Sequence, residues 1–441
     1  MSIANLIFIL VFIAAVVMFS LSVRVIIQNI KLGRSFDISD NKSQRWKTMF
    51  LVAIGQSKMV KRPLAGILHI AVYLGFIIVN VEMLEILIDG VTGTHRIFSY
   101  LPFYNGLINV LEMAAVAVIT ACIIFLLRRN VVKVKRFHNS EMTAWPRLDA
   151  NIILITEILL MFAFLSMNAA DQILQTKGLE HYHETGRFLV SSLLIPLYDS
   201  LSVNGLIFVE RFGWWFHIIG VLAFLNYIPY SKHFHVFLAF PNVWFSKLKP
   251  RTYIYNMESV TQEVKIAMGL IPDPGASEDD VPTFGAKDVR DLTWKSLMDS
   301  YTCTECGRCT AVCPANLTGK KLSPRKIIMD TRDRLEIVGK NIRKNGKDFD
   351  DGKALLGEFI SAEEVWACTT CNACTYECPV TIDHVAIIME LRRYIFMEES
   401  AAPSPLNAMS TNIENNGAPW QYPAADRYNW ANDLYINEDA V

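Results

Sequence analysis

The sequence predicts an all-α protein in two parts, a five-helix transmembrane bundle followed by a mainly helical cytoplasmic domain. Three observations carry this. The chain is 52% hydrophobic over 441 residues, five long apolar runs lie within its first 230 residues, and eight of its nine cysteines fall in two short windows further on. That composition is too apolar for an ordinary soluble chain of this length. A formal net charge of −1 offers no electrostatic footprint for nucleic acid.

The runs cover roughly 3 to 27, 64 to 88, 106 to 127, 150 to 171 and 212 to 230, each close to the length a helix needs to cross a bilayer. The first is too long for a signal peptide and lacks a basic start and a small-residue cleavage site, so it is expected to remain as a span. The stretch FLVSSLLIPLYDSLSVNGLIFVE (188 to 210) is nearly apolar enough for a sixth crossing. Pro196, Asp199 and Asn204 interrupt it and suit a segment lying at the interface better.

Orientation follows from the connections. Loops 31 to 65 and 128 to 149 carry fourteen Lys and Arg, whereas loops 90 to 104 and 172 to 211 carry only Arg96, Lys177, Arg187 and Arg211. Cytoplasmic loops retain positive charge. The amino terminus is therefore expected outside a bacterial inner membrane, and the cysteine region, after an odd number of spans, in the cytoplasm. The chain is expected to divide into a membrane domain (1–245), a linker (246–290) containing PDPGASEDDVPTFG, a cysteine domain (291–399), and an extended tail (400–441) suited to partner binding.

The cysteine windows read CTECGRCTAVCP (303 to 314) and CTTCNACTYECP (368 to 379). Each is C-x2-C-x2-C-x3-C-P, in which three close thiolates bind one [4Fe-4S] cluster and the fourth reaches across to a second. The ferredoxin-like pattern assigns Cys303, Cys306, Cys309 and Cys378 to one cluster, and Cys368, Cys371, Cys374 and Cys313 to the other. Pro314 and Pro379 turn the chain away after the fourth cysteine. A pair of zinc sites would leave the repeated x3-C-P unexplained, and such tight grouping is unlike a disulfide framework. No residue here is an evident acid, base or nucleophile, so the domain is expected to pass electrons. The 54 residues between the windows, including PRKIIMDTRDRLEIVGKNIRK (324 to 344), contain no Cys or His and are expected to form a docking surface.

Histidine in a lipid-facing span is costly and needs a reason. His69 sits one turn into the second span, His217 near the outer end of the fifth, and His233 and His235 at its inner end. At 100° per residue, His217 and His235 share one face about 27 Å apart, and His233 falls on another. His235 is then the partner for His69 across a haem b, with His233 the spare. A second haem on the outer side would need a ligand opposite His217, where Asn80 stands. His181, His183 or a Met of the fourth span are alternatives, and a quinone-binding role for His217 is equally open. Glu112 and Glu157 are weak candidates for carrying quinone protons.

GILH at 66 to 69, W-x-x-H ending at His217, PYSKHFH and FPNVWF resemble the gamma, cytochrome b subunit of respiratory nitrate reductase. The resemblance implies that His69 and His235 bind the haem nearer the cytoplasm and His217 an outer one. Val79, beside Asn80, stands where that family has its second outer ligand. FGAKDVRDLTWKSLMDSYTCTECGRC, TGKKLSPRK and VWACTTCNAC are similar to membrane-bound heterodisulfide-reductase-like iron–sulfur oxidoreductases, including the electron-transfer-flavoprotein:menaquinone type. In fused relatives of that kind a segment like NIENNGAPWQYPAADRYNWANDL (412 to 434) leads into a cysteine-rich CCG domain. No CCG motif occurs here, so the expected partner is a separate CCG-domain protein or an electron-transfer flavoprotein.

Together these readings predict a membrane electron-transfer subunit linking such a partner, two clusters, haem b and menaquinone, within lipid. Two alternatives stand beside it. One is a haem-less anchor that carries clusters for a soluble partner, and the other is a quinol-driven disulfide reductase subunit.

Overall fold

The structure is a computed structural model describing residues 2–179, 181–273 and 283–431. The predicted linker at 274–282 and the end of the predicted tail at 432–441 lie outside the described residues. Among the described residues the protein is helical, with two isolated β-bridges and no strand.

Among the described residues five helices are long and apolar enough to cross a membrane: Ile3–Ile30, Pro63–Thr92, Tyr104–Asn130, Ala144–Thr176 and Val203–Tyr230. They outrun the apolar stretches because their polar ends are also helical. Ser2 caps the first by accepting from the Asn5 N–H, Pro63 opens the second, and Gly93 closes it at φ +80°, a conformation that costs glycine little. The second helix packs on the third, the third on the fourth and the fourth on the fifth, while the first lies against the fifth and second. Phe8, Ile108, Leu111, Phe164, Phe188 and Ile218 fill the centre. Gly90 admits the Phe8 ring, since a Cβ there would stand 2.5 Å from Phe8 Cζ.

The fifth span starts at Val203, earlier than its apolar run, and absorbs the end of the ambiguous stretch. Before it come a 3-10 turn (Ser191–Leu193) and a four-residue helix (Ile195–Tyr198), so 188–202 does not cross. Glu112 is the reason. Its buried carboxylate accepts from Val190 N at 2.8 Å, Ser191 N at 3.2 Å and the Ser191 hydroxyl, which ties this segment to the third helix. These bonds give Glu112, a weak candidate for quinone protons in the sequence, a structural part as an anchor. Glu157 is half-buried beside Cys122.

The helix of the fifth span proper ends at Tyr227. A 3-10 turn (Ile228–Tyr230), an extended Ser231 and a second 3-10 turn (Lys232–Phe234) precede a new helix, His235–Trp244. Pro229 lacks the N–H that would continue the ladder. Asp149 of the fourth helix stabilises the break, accepting from Tyr227 OH, from Ser231 Oγ at 2.6 Å and from Lys232 N at 3.2 Å. No continuous helix runs from His217 to His235. The phase argument therefore fails beyond Tyr227, and the separation of His233 from His235 must be read from the turn.

In the cysteine domain, helix Trp294–Thr302 is capped by the Thr293 hydroxyl and packs on helix Pro324–Asn345. The latter buries Arg325, Ile327, Ile328, Thr331 and Leu335. The expected docking surface is thus half core, because its apolar residues recur on one helical face. Bundle and cysteine domain interlock. Arg34 N donates to Leu292 O at 2.8 Å and Trp294 N to Arg34 O at 3.0 Å. Asn242 donates to Asp299 at 2.9 Å, and the Arg325 guanidinium reaches Glu141 at 2.7 Å. Residues 1–254 and 288–388 accordingly make one compact unit. The change in composition near 245 marks a change of solvent rather than a gap in packing.

The second unit, 255–287 with 389–441, contains helices Glu258–Ala267 and Ser404–Asn416. Ala286 N donates to Glu390 O at 3.0 Å within it.

Asp149→Ala would leave three donors unpaired at the helix break, an expected loss of about 3 kcal/mol. A lowered thermal midpoint in detergent checks this, with the exposed Asp199→Ala staying within about 0.5 kcal/mol.

Candidate functional site

The two cysteine windows repeat in backbone as well as in sequence. Glu305 (φ +51°) and Thr370 (φ +54°) each follow the first cysteine by two residues, and Gly307 (φ +68°) and Asn372 (φ +58°) follow it by four. At Gly307 a side chain would meet Arg325 Nη1 at 2.5 Å, so glycine serves both conformation and space. These turns aim backbone N–H groups at sulfur: Glu305 N to Cys303 Sγ and Thr370 N to Cys368 Sγ, both at 3.4 Å. Ile382 N likewise donates to Cys378 Sγ at 3.4 Å. The short helices Arg308–Ala311 and Ala373–Glu377 pack on each other and bring the windows together.

Cys313, Cys368, Cys371 and Cys374 line one cavity. Cys378 lies within electrostatic reach of Cys306, and Cys309 of Cys303, Cys306, Cys378 and Cys374. Cys313 thus shares a cavity with the first three cysteines of the second window, and Cys378 lies near Cys306 and Cys309 of the first. Burial pushes the thiols of Cys303, Cys374 and Cys378 up to about 12, and a bound cation is what would deprotonate them. Among the described residues no three His, Cys, Asp or Glu groups converge on a point that one ion could fill. Thiols spread around a cavity fit a four-iron cluster better than zinc, which holds sulfur at about 2.3 Å. Cys371 is exposed, Cys306 and Cys368 are half-buried, and the rest are buried.

Lys232 ties the cysteines to the histidines. Its ammonium bonds Glu305 Oε2 at 2.5 Å and Pro146 O at 2.6 Å, while its own carbonyl accepts from His235 Nδ1 at 3.0 Å. Burial alone would raise the Glu305 carboxyl, but Lys232 and Arg332 hold it below its usual range. One residue thus contacts the cysteine loop with its side chain and a histidine with its backbone.

The rings of His69 and His235 stand 6.4 Å apart, centroid to centroid. Two imidazoles on opposite sides of one metal would be separated by roughly 6 Å, given metal–nitrogen bonds of about 2 Å. The Lys232 bond fixes the His235 tautomer and leaves Nε2 available, the usual arrangement of a ligating histidine. His69 Nδ1 is buried without a hydrogen-bond partner. Burial holds His235 low in pKa, so its ring is neutral, the form that ligates. His233 is not remote from this pair. Its ring lies 5.6 Å from that of His235 and 5.4 Å from that of Phe224, because the 3-10 turn folds both histidines to one side. It neighbours His235 edge-on rather than facing it.

His217 is buried, with Nδ1 bonded to Leu160 O at 2.9 Å and its ring 6.3 Å from Phe164. The structure does not offer Val79, Asn80 or His181 to it as a second ligand. Val79 belongs to the apolar core, Asn80 is exposed and bonds the Phe76 carbonyl, and the His181 ring pairs with His95 at 5.0 Å. These residues do not fit an outer haem.

The sequence passed over a polar network at the end of the bundle away from the cysteines. Arg96, buried at φ +50°, donates to Asp171, to Asn168 Oδ1 at 2.7 Å and to Tyr104 OH at 3.1 Å. Tyr104 in turn donates to Glu85 Oε2 at 2.9 Å. The available signal was Glu82, Glu85 and Asp89, three acids at helical spacing at the end of a predicted span.

Comparison with known proteins agrees with the cysteine geometry. Residues 302–382 match the model of the 4Fe-4S dicluster domain. The chain is similar to a probable iron-sulfur-binding oxidoreductase FadF of Bacillus subtilis (strain 168), with 28% identity over 98% of this chain and 61% of that protein. It is also similar to the EtfAB:quinone oxidoreductase of Syntrophomonas wolfei subsp. wolfei, with 26% identity over 91% of this chain and 56% of that protein. A probable membrane-anchored ferredoxin of Chromohalobacter salexigens shares 34% identity over 34% of this chain and 24% of its own. No solved structure matches. The chain spans about three-fifths of the length of the first two relatives. Among the described residues it is a helical protein with five apolar helices long enough to span a membrane, followed by a segment that matches the 4Fe-4S dicluster domain.

Proposed function

We propose that the protein is the membrane electron-transfer subunit of a quinone-linked oxidoreductase. It would carry electrons between a cytoplasmic flavoprotein or CCG-domain partner, two [4Fe-4S] clusters, one haem b and menaquinone. Cys303, Cys306, Cys309 and Cys378 would hold one cluster, and Cys313, Cys368, Cys371 and Cys374 the other. His69 and His235 would hold the haem. The observation that carries this reading is the 6.4 Å pair of His69 and His235, joined through Lys232 to the loop of Cys303 and Cys306.

One-electron transfer is what clusters and haem supply when bound; the chain supplies position and environment. The exposed Cys371 marks the edge where a partner would exchange electrons. The N–H groups of Glu305, Thr370 and Ile382 stabilise negative sulfur, a determinant of potential. Lys232 and Arg332 place positive charge against Glu305 beside the inner cysteines. The FadF-like protein and the EtfAB:quinone oxidoreductase support the class of reaction by their names, and the Lys and Arg asymmetry supports a cytoplasmic cysteine domain.

An anchor without haem would have no use for two histidines at matched depth, so the spectrum of the purified protein decides between the readings. Dithionite should raise a b-type α band in the wild type. His69→Ala and His235→Ala should abolish it while keeping the cluster signals, and His217→Ala should keep it. Absence of the band in the wild type would remove the haem from this account.

The crossed ligation has its own test. Cys313→Ala and Cys371→Ala should remove the same EPR signal and lower iron content by about half, whereas Cys378→Ala should remove the other. Loss of different signals from Cys313→Ala and Cys371→Ala would refute the pairing.

A further inference from the structure

Away from the cysteines, a cavity of about 470 Å³ opens among the first, second and fifth long helices. This lies within the range of small-molecule sites. One wall is aromatic: the Phe8 and Trp214 rings lie 5.6 Å apart, and Trp214 and Trp215 5.1 Å apart. The opposite wall carries Glu82, Glu85 and Asp89 of the second helix.

The three acids differ in one respect. Glu85 accepts from Phe98 N and Tyr104 OH, both at 2.9 Å. Asp89 accepts from Arg96 N at 2.7 Å and Ile97 N at 3.1 Å, so both close the loop after the helix. Glu82 is 2% exposed, and neither of its carboxylate oxygens has a hydrogen-bond partner. An unpaired carboxyl inside a membrane helix is costly and by default functional. What Glu82 lacks is a donor, and the cavity beside it has room for a ligand that brings one.

Such a ligand must be flat enough to lie against the aromatic wall and offer either an O–H to the carboxylate or, to its protonated form, a carbonyl oxygen. We infer that this cavity binds the headgroup of the quinone or quinol, and that Glu82 is its proton acceptor. The inference rests on the quinone-linked reading above and adds to it a site and a catalytic residue.

In quinol oxidation the two O–H bonds would break, each proton would pass to the Glu82 carboxylate and on to water at the cavity mouth, and the two electrons would be taken one at a time by the one-electron acceptors that His69, His235 and the cysteines would hold. In the reverse direction two electrons from those centres and two protons from water convert quinone to quinol. His95 and the exposed His181, with rings 5.0 Å apart, line the mouth. Glu82 follows His69 by thirteen residues on one helix, about 20 Å along its axis. Protons and electrons therefore leave toward opposite ends of the bundle.

The test uses the full chain in detergent with 2-methyl-1,4-naphthoquinone as binding probe, read by tryptophan quenching, and its quinol as reductant, read by stopped-flow absorbance of the centres. Glu82→Gln should bind the probe with affinity within about threefold of wild type but be reduced on the order of 100-fold more slowly, with the pH dependence of the rate flattened. Ala4→Phe, at the cavity mouth, should weaken binding by about tenfold or more. Unchanged dithionite spectra establish that both variants are folded and loaded. If the quinol reduces the wild type, and both variants behave like it, the site is elsewhere and the quinone-linked reading survives. If the wild type is neither quenched nor reduced, that reading fails and takes this inference with it.

Discussion

The rest of the structure depends on the break in the chain between Tyr227 and His235, held by one buried carboxylate. Asp149 accepts from both sides of it, so the fifth span stops instead of running on into solvent. A continuous helix would carry His233 and His235 away on its axis. The turn folds them back toward the second helix, where His69 waits, and it releases the Lys232 carbonyl to orient His235 while the Lys232 ammonium crosses to Glu305. A helix-breaking interaction in the membrane half thus fixes the distance between that half and the cysteines.

Burial gives this junction its specificity. Lys232, Glu305, Arg325, Glu141, Asp299 and Lys295 are charged groups largely removed from water. Such pairs contribute little net stability, but breaking one leaves an uncompensated charge. The interlocked surface therefore has few alternative registers. The opposite end of the bundle follows a different logic. There Arg96 donates to Asp171 and Tyr104, Tyr104 donates to Glu85, and Asp89 accepts from the Arg96 backbone, while Asp171 Oδ1 and both oxygens of Glu82 have no hydrogen-bond partner.

Local signals in the sequence were legible where one residue type dominates the physics. Cysteine spacing pointed to the 4Fe-4S dicluster match over 302–382, because x2 and x3 intervals restrict which sulfurs can share a centre. Apolar length anticipated five long helices, though not their ends, since caps such as Ser2 and Gly93 lie in polar sequence. Helical phase paired His235 with His69 for an incomplete reason: Pro229 hinted at a break, but Asp149, eighty residues away, decides its shape. The anchoring bonds of Glu112 were not legible, because its partners at Val190 and Ser191 are backbone and hydroxyl donors in a segment without a pattern of its own. The charged 324–344 segment appeared to be surface because Arg325 and Arg334 are buried against carboxylates that the sequence places far away.

The central claim is that one bundle carries a single haem site joined to two cluster sites through the Lys232 turn. Chemical iron and haem analysis of the purified chain, with low-temperature EPR of the same sample, tests it most directly. The account predicts two four-iron clusters and one low-spin, bis-histidine haem per chain. Two haems per chain, or none, would contradict it.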